Sequence, residues 1–167
     1  MTSDQQDRGI ADAKESGPLS LITDHFLGLP HRPPFVFVRE VVACDPGKSV
    51  EAVTVFDAAD PMFAGHFPGN PIVPGVILTE ALAQTAGIAA ASGYPDTARP
   101  LFLLSAIRTM KFRRAVRPEE PIDLSAEKIA GTDTLLQFKV TAQVNGAVAA
   151  EGQLVLSVAA DFARGPE

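Results

Sequence analysis

The chain has 167 residues, 46% of them hydrophobic, and a formal net charge of −6 at pH 7. This composition is typical of one globular domain, and the acidic balance argues against a general nucleic-acid-binding surface. A single cysteine, Cys44, excludes an intrachain disulfide and disfavours a structural zinc site, so a reducing cytoplasm is expected.

The terminal segments lack the pattern of a packed domain. Residues 1–17 mix both charges without the apolar core of a signal peptide, so they are interpreted as a disordered leader. The domain is expected to span residues 18–160, followed by a flexible tail over 161–167. Apolar residues at roughly helical spacing predict a short helix over Ser20–Leu27, which ends at Gly28-Leu29-Pro30.

Two β-rich segments follow. Phe35–Val42 and Ser49–Phe56 contain many β-branched and aromatic residues and flank the turn Asp45-Pro46-Gly47, which predicts a β-hairpin. The next segment, residues 57–74, is rich in proline and glycine. Because a loop of this length is unusual as a mere connection, we expect it to contribute to function.

A helix is predicted over Val76–Ala91, where strong helix formers are followed by a stop at residues 92–95. Its small and apolar residues predict burial on a broad side. Glu80, Gln84 and the nearby Pro74 make the stretch too polar for a membrane span.

The remaining chain predicts four strands separated by turn signals. The clearest signal is Asn145-Gly146, because both central residues of a two-residue hairpin turn need positive φ. The order of strand, strand, long helix and four strands predicts an α+β fold in which an antiparallel sheet wraps a central helix. The predicted strands are Leu101–Val116, Ile122–Ala130, Thr134–Val144 and Ala147–Val158.

Two titratable side chains, His66 and Glu80, lie within the otherwise apolar loop and helix. Apolar surroundings favour a protonated carboxyl, which suits Glu80 as a general acid, and a neutral imidazole suits His66 as a general base. Free N–H groups of Gly75 and Val76 at the helix start could bind an oxyanion, and Gly75 permits close approach to the backbone. The structural alternative is that His66 bonds carbonyl groups and Glu80 pairs with a basic neighbour.

The segment carrying these residues reads His66-Phe-Pro-Gly-Asn-Pro-Ile-Val-Pro-Gly75-Val-Ile-Leu-Thr-Glu80-Ala-Leu-Ala-Gln84. It resembles the active-site signature of the β-hydroxyacyl-acyl-carrier-protein dehydratases, the FabZ-type branch of the hot-dog superfamily. The resemblance extends from about Leu29 to Val158. Departures from the family pattern occur at Pro33, Arg39-Glu40 and Ala115, away from the signature's titratable residues.

The resemblance implies a hot-dog fold and dehydration of a (3R)-3-hydroxyacyl thioester to a trans-2-enoyl thioester. The substrate would be carried on the phosphopantetheine arm of acyl carrier protein, with no separate cofactor. Because the related FabA branch has Asp where this chain has Glu80, dehydration without isomerisation is implied. The pathway could be fatty-acid synthesis or a related lipid or polyketide route.

The same resemblance implies a homodimer whose active sites each combine His66 of one subunit with Glu80 of the other. Whether three dimers form a hexamer is left open. Two other functions remain as alternatives, a hot-dog acyl thioesterase and a non-catalytic subunit that binds acyl thioesters.

A basic cluster lies near the end of the third predicted strand. Its four cations predict docking of an acidic carrier protein, although a solvated strand end is the alternative. His31, beside Arg32, is expected either at the rim of the site or in a structural role. The four cations are Lys111, Arg113, Arg114 and Arg117.

Overall fold

The computed structural model describes residues 27–159. The leader over 1–17, the tail over 161–167 and nearly all of the predicted helix Ser20–Leu27 lie outside this range. Leu27 itself lies in a turn with a φ of 59°, so the helix does not include it. Among the described helices, none is long and apolar enough to cross a membrane.

The predicted hairpin is formed by β1 (Glu40–Asp45) and β2 (Ser49–Thr54), which pair antiparallel. The prediction that the first strand begins at Phe35 is wrong for residues 35–39. The Phe37 N–H donates to Gln84 Oε1 and the Phe35 carbonyl accepts from Gln84 Nε2. Because a helix side chain satisfies these backbone groups, they do not extend the strand ladder.

Two helices follow β2. The long loop contains a short helix that was not predicted, α1 (Met62–Gly65). The predicted long helix is confirmed as α2 (Gly75–Ala91), which begins directly after Pro74 and has 12 of its 17 residues buried. A helix with this much burial must be covered on several sides. Its one carboxylate, Glu80, is half-buried.

Four strands complete the domain: β3 (Leu101–Phe112), β4 (Ile122–Gly131), β5 (Leu135–Val144) and β6 (Ala147–Ala159). The predicted continuation of the third strand to Val116 is wrong. Beyond Phe112, the N–H groups of Arg113 and Arg114 both point to the Ala149 carbonyl, which ends the regular ladder. The predicted turn at Asn145-Gly146 is confirmed by φ values of 51° and 77°.

The six strands form one antiparallel sheet in the order β1-β2-β4-β5-β6-β3. Alternate residues of its central strands, including Leu124, Phe138 and Val140, are fully buried with the inner face of α2. This period-2 burial confirms the predicted sheet wrapped around a helix. The two edge strands are β1, with six residues, and β3, with twelve.

Candidate active site

His66 is held at the end of α1 by both its backbone and its ring. Its N–H donates to Met62 O at 3.1 Å, its carbonyl accepts from Ile72 N at 3.2 Å, and its ring Nδ1 lies 3.0 Å from Ile72 O. A carbonyl oxygen only accepts, so Nδ1 carries the proton. Nε2 then keeps its lone pair, and it has no hydrogen-bond partner within residues 27–159.

The first turn of α2 presents two N–H groups without backbone partners in the described part of the chain. Pro74 O accepts the N–H groups of Ile77 and Leu78, each at 3.0 Å, whereas those of Gly75 and Val76 make no such bond. A Cβ added at Gly75 would lie 3.0 Å from the ring of Phe112. The N–H groups of Gly75 and Val76 thus lie at the helix start without backbone partners among the described residues, and the Phe112 ring packs closely against one side of Gly75.

Glu80 is tied to the rest of the fold through Gln84, which lies one turn further along α2. Gln84 is only 1% exposed, and its Nε2 donates to Glu80 Oε1 at 3.1 Å and to Phe35 O at 3.0 Å. His31 Nε2 lies 3.4 Å from the same Glu80 oxygen. The sequence signal for this pairing is the spacing of four residues between Glu80 and Gln84, which places both side chains on one face of a helix.

A cavity of about 160 Å³ opens beside Glu80 and His31. Small residues of α2 line one wall, and apolar residues at the start of β3 line another. Of the predicted catalytic and oxyanion-binding residues, Glu80 lines this cavity, whereas His66, Gly75 and Val76 do not. The wall residues include Ala83, Gly87, Ala91, Phe102 and Leu104.

The basic cluster is partly neutralised by acidic side chains. Arg113 forms a 2.6 Å ion pair with Glu151, and Arg114 forms a 2.7 Å ion pair with Glu120. The Arg113 guanidinium lowers the pKa of Glu151. Lys111 and Arg117 make no ion-pair contact with a carboxylate in the described range, although Arg117 donates to Asn70 Oδ1.

Within the described segment, no three His, Cys, Asp or Glu side chains are grouped as metal ligands. Cys44, the only cysteine, is half-buried.

The wrapped helix and six-stranded antiparallel sheet define a hot-dog fold. The dehydratase heterocomplex ApeI:P from Xenorhabdus doucetiae matches with a TM-score of 0.67 and 19% identity, over 80% of this chain and 90% of that chain. The HP0420 homologue from Helicobacter felis matches with a TM-score of 0.62 and 14% identity, over 92% and 96%. These likenesses establish the fold.

Sequence comparison defines the family within that fold. The FabA-like domain family matches residues 29–157. The 3-hydroxyacyl-[acyl-carrier-protein] dehydratase FabZ of Ruminiclostridium cellulolyticum is 45% identical over 126 residues, covering 75% of this chain and 88% of the relative. The corresponding FabZ of Ralstonia nicotianae is 37% identical over 139 residues, covering 82% and 85%. The chain therefore belongs to the FabZ-type dehydratases of the FabA-like family.

Proposed function

We propose that this protein converts a (3R)-3-hydroxyacyl thioester on acyl carrier protein into the trans-2-enoyl thioester and water. The observation that carries the proposal is the pair of differently held groups, His66 with a free Nε2 and Glu80 beside an apolar cavity. One group suits proton removal and the other suits proton donation. Family membership supports the same reaction.

His66 serves as the general base. The Ile72 carbonyl holds its Nδ1–H, so the Nε2 lone pair is available to take the α-proton of the thioester. The bond to the Ile72 carbonyl is also what a purely structural role of His66 would require, but it occupies only one ring nitrogen and leaves the other available for proton transfer.

The N–H groups of Gly75 and Val76 stabilise the thioester oxygen as negative charge develops on it. They project from the start of α2, where the helix dipole also favours an anion. Glu80 then donates its proton to the departing β-hydroxyl group, and the elimination needs no cofactor beyond the phosphopantetheine arm of the substrate.

A homodimer with shared sites completes this arrangement. In one chain the residues that line the cavity include Glu80 but neither His66 nor Gly75, which supports a site that a second subunit completes. The long edge strand β3 exposes Leu103, Leu104 and Ile107. Pairing of β3 with its copy would cover these side chains and the unpaired strand edge. A hexamer of three such dimers is a further assembly that sedimentation measurements would detect.

The carrier protein docks through the part of the basic cluster that remains unpaired, Lys111 and Arg117. Because Arg113 and Arg114 already face carboxylates, reversing their charge would disturb the fold as well as binding. Lys111→Glu/Arg117→Glu should lower kcat/KM in a salt-sensitive way for a carrier-bound substrate only. Lys128→Glu provides the control, because Lys128 is exposed on β4, outside the basic cluster. An equal loss of kcat/KM with a short pantetheine thioester would remove this surface from the proposal.

We place the reaction in the cytoplasm.

The test uses 3-hydroxybutyryl and crotonyl thioesters with wild type, His66→Ala and Glu80→Gln. Loss of a positioned acid or base should lower turnover by about 10²–10⁴-fold, while sedimentation shows an intact dimer. Mixing the two inactive variants under subunit exchange should restore some complete sites. Near-normal turnover of either variant would contradict the assignment, and thiol release without enoyl interconversion would indicate a thioesterase.

A further inference from the structure

His31 lies next to Glu80 although 49 residues separate them in the chain. Its Nε2 is 3.4 Å from Glu80 Oε1, and the two side chains are 29% and 22% exposed. The imidazole ring stacks near Phe35, with ring centres 6.1 Å apart and planes inclined by 20°. Both His31 and Glu80 line the same cavity.

The surroundings of the His31 ring indicate which nitrogen carries the proton. Nδ1 is buried and has no hydrogen-bond partner among the described residues. An N–H at that position would be a buried donor without an acceptor, which is costly. In the neutral ring the proton is therefore favoured on Nε2, the nitrogen that faces Glu80.

Glu80 Oε1 accepts a hydrogen bond from the amide of Gln84 at 3.1 Å, and His31 Nε2 lies close to the same oxygen at 3.4 Å, without hydrogen-bond geometry. A protonated carboxyl group has one hydroxyl oxygen and one carbonyl-like oxygen, and donors favour the carbonyl-like one. The geometry points to His31 as a positioning residue that, together with Gln84, keeps the proton of Glu80 on Oε2. This inference rests on the proposed role of Glu80 as the general acid.

The arrangement directs the proton in the elimination step. His66 Nε2 takes the α-proton, and the C–H electron pair forms the α,β double bond. The β C–O bond breaks, and the oxygen leaves as water with the proton from Glu80 Oε2. A carboxyl group free to rotate would place its proton on either oxygen, and only one of them faces the departing hydroxyl group.

Two substitutions separate a positioning role from a packing role. His31→Gln keeps a neutral N–H donor but removes the ring, whereas His31→Phe keeps the ring that packs near Phe35 but removes the donor. We expect His31→Phe to lower kcat about tenfold with little change in KM, a part of the total contribution of a positioned acid, and His31→Gln to retain most activity. A normal kcat for His31→Phe, or equal losses in both variants, would overturn the inference.

A substrate whose leaving group needs no proton tests the connection to Glu80. With a 3-chlorobutyryl pantetheine thioester, chloride departs unprotonated, so His31→Phe and Glu80→Gln should both lose much less activity than with the 3-hydroxy substrate. The double variant should be no slower than Glu80→Gln alone, because His31 acts through Glu80. If Glu80→Gln is equally impaired on both substrates, the proposed role of Glu80 fails. If Glu80→Gln behaves as expected and His31→Phe does not, the positioning role of His31 alone fails.

Discussion

The lack of a side chain at Gly75 leaves space beside its N–H group in the proposed site. A Cβ at this position would come within 3.0, 3.1 and 3.3 Å of three atoms of the Phe112 ring. Phe112 is 51% exposed, so its ring can shift by a few tenths of an ångström at little cost. We therefore expect the lack of a side chain at Gly75 to affect the proposed oxyanion position more than the stability of the domain.

We predict that Gly75→Ala lowers kcat/KM by on the order of tenfold or more, by crowding the oxyanion position, and changes the melting temperature little. Steady-state kinetics and thermal unfolding measure both effects. The double variant Gly75→Ala/Phe112→Leu separates the causes, since it relieves contact with the ring without restoring access to the backbone. Recovery of full activity in the double variant would show that Phe112 packing was the only constraint.

At the scale of elements, the connection between β3 and β4 is stabilised by Glu120. Its carboxylate accepts from the Arg117 N–H at 2.7 Å and from the Arg114 guanidinium at 2.7 Å. The Arg117 N–H hydrogen bond and the Arg114 side chain lower the pKa of Glu120, against an opposing effect of burial. In the same connection, the Val116 carbonyl accepts from Val73 N at 2.8 Å, so the region that Glu120 orders also holds the segment preceding α2.

A group whose pKa is lower in the folded state stabilises the fold above its ordinary value and loses that contribution as the pH falls through the folded value. Glu120→Gln should therefore lower the free energy of unfolding by about 1 kcal/mol at pH 7. The difference from wild type should shrink below about pH 4, where an ordinary glutamate takes up its proton. Urea unfolding at several pH values measures it, and a difference that stays constant down to pH 3 would exclude the carboxylate as its source.

At the scale of the whole molecule, the two edges of the sheet differ in character. β1 has only six residues and carries Glu40 and Asp45 at its ends, features that discourage pairing with another chain. β3 has twelve residues and exposes large apolar side chains, Ile107 among them at 52%. The β3 edge is therefore the surface on which the proposed dimer depends.

Ile107→Glu should convert the dimer to a monomer and remove most turnover, because a buried charge would face its copy across the interface. Leu135 provides a matched control, since it is 46% exposed but lies on β5, an interior strand. Leu135→Glu should leave both properties unchanged. Sedimentation velocity and steady-state kinetics read the two outcomes, and an active, dimeric Ile107→Glu protein would place the interface elsewhere.

The sequence by itself determined the features that depend on neighbouring residues. The period-2 pattern predicted the central strands, Asn145-Gly146 predicted its turn, and the run from His66 to Gln84 identified the family and the candidate acid and base. These signals are local because backbone preferences and side-chain periodicity act over a few residues.

Only the tertiary structure decided how distant groups meet. Gln84 Oε1 accepts a hydrogen bond from the N–H of Phe37, 47 residues away in the chain. The same side chain donates to Glu80, so the segment predicted as the start of the first strand contacts Glu80 through Gln84. The ion pair of Arg113 with Glu151 likewise joins residues 38 positions apart, and it neutralises one of the four cations of the basic cluster. Such partners depend on which strands become neighbours, and nothing in the residues adjacent to Arg113 or Gln84 specifies that arrangement.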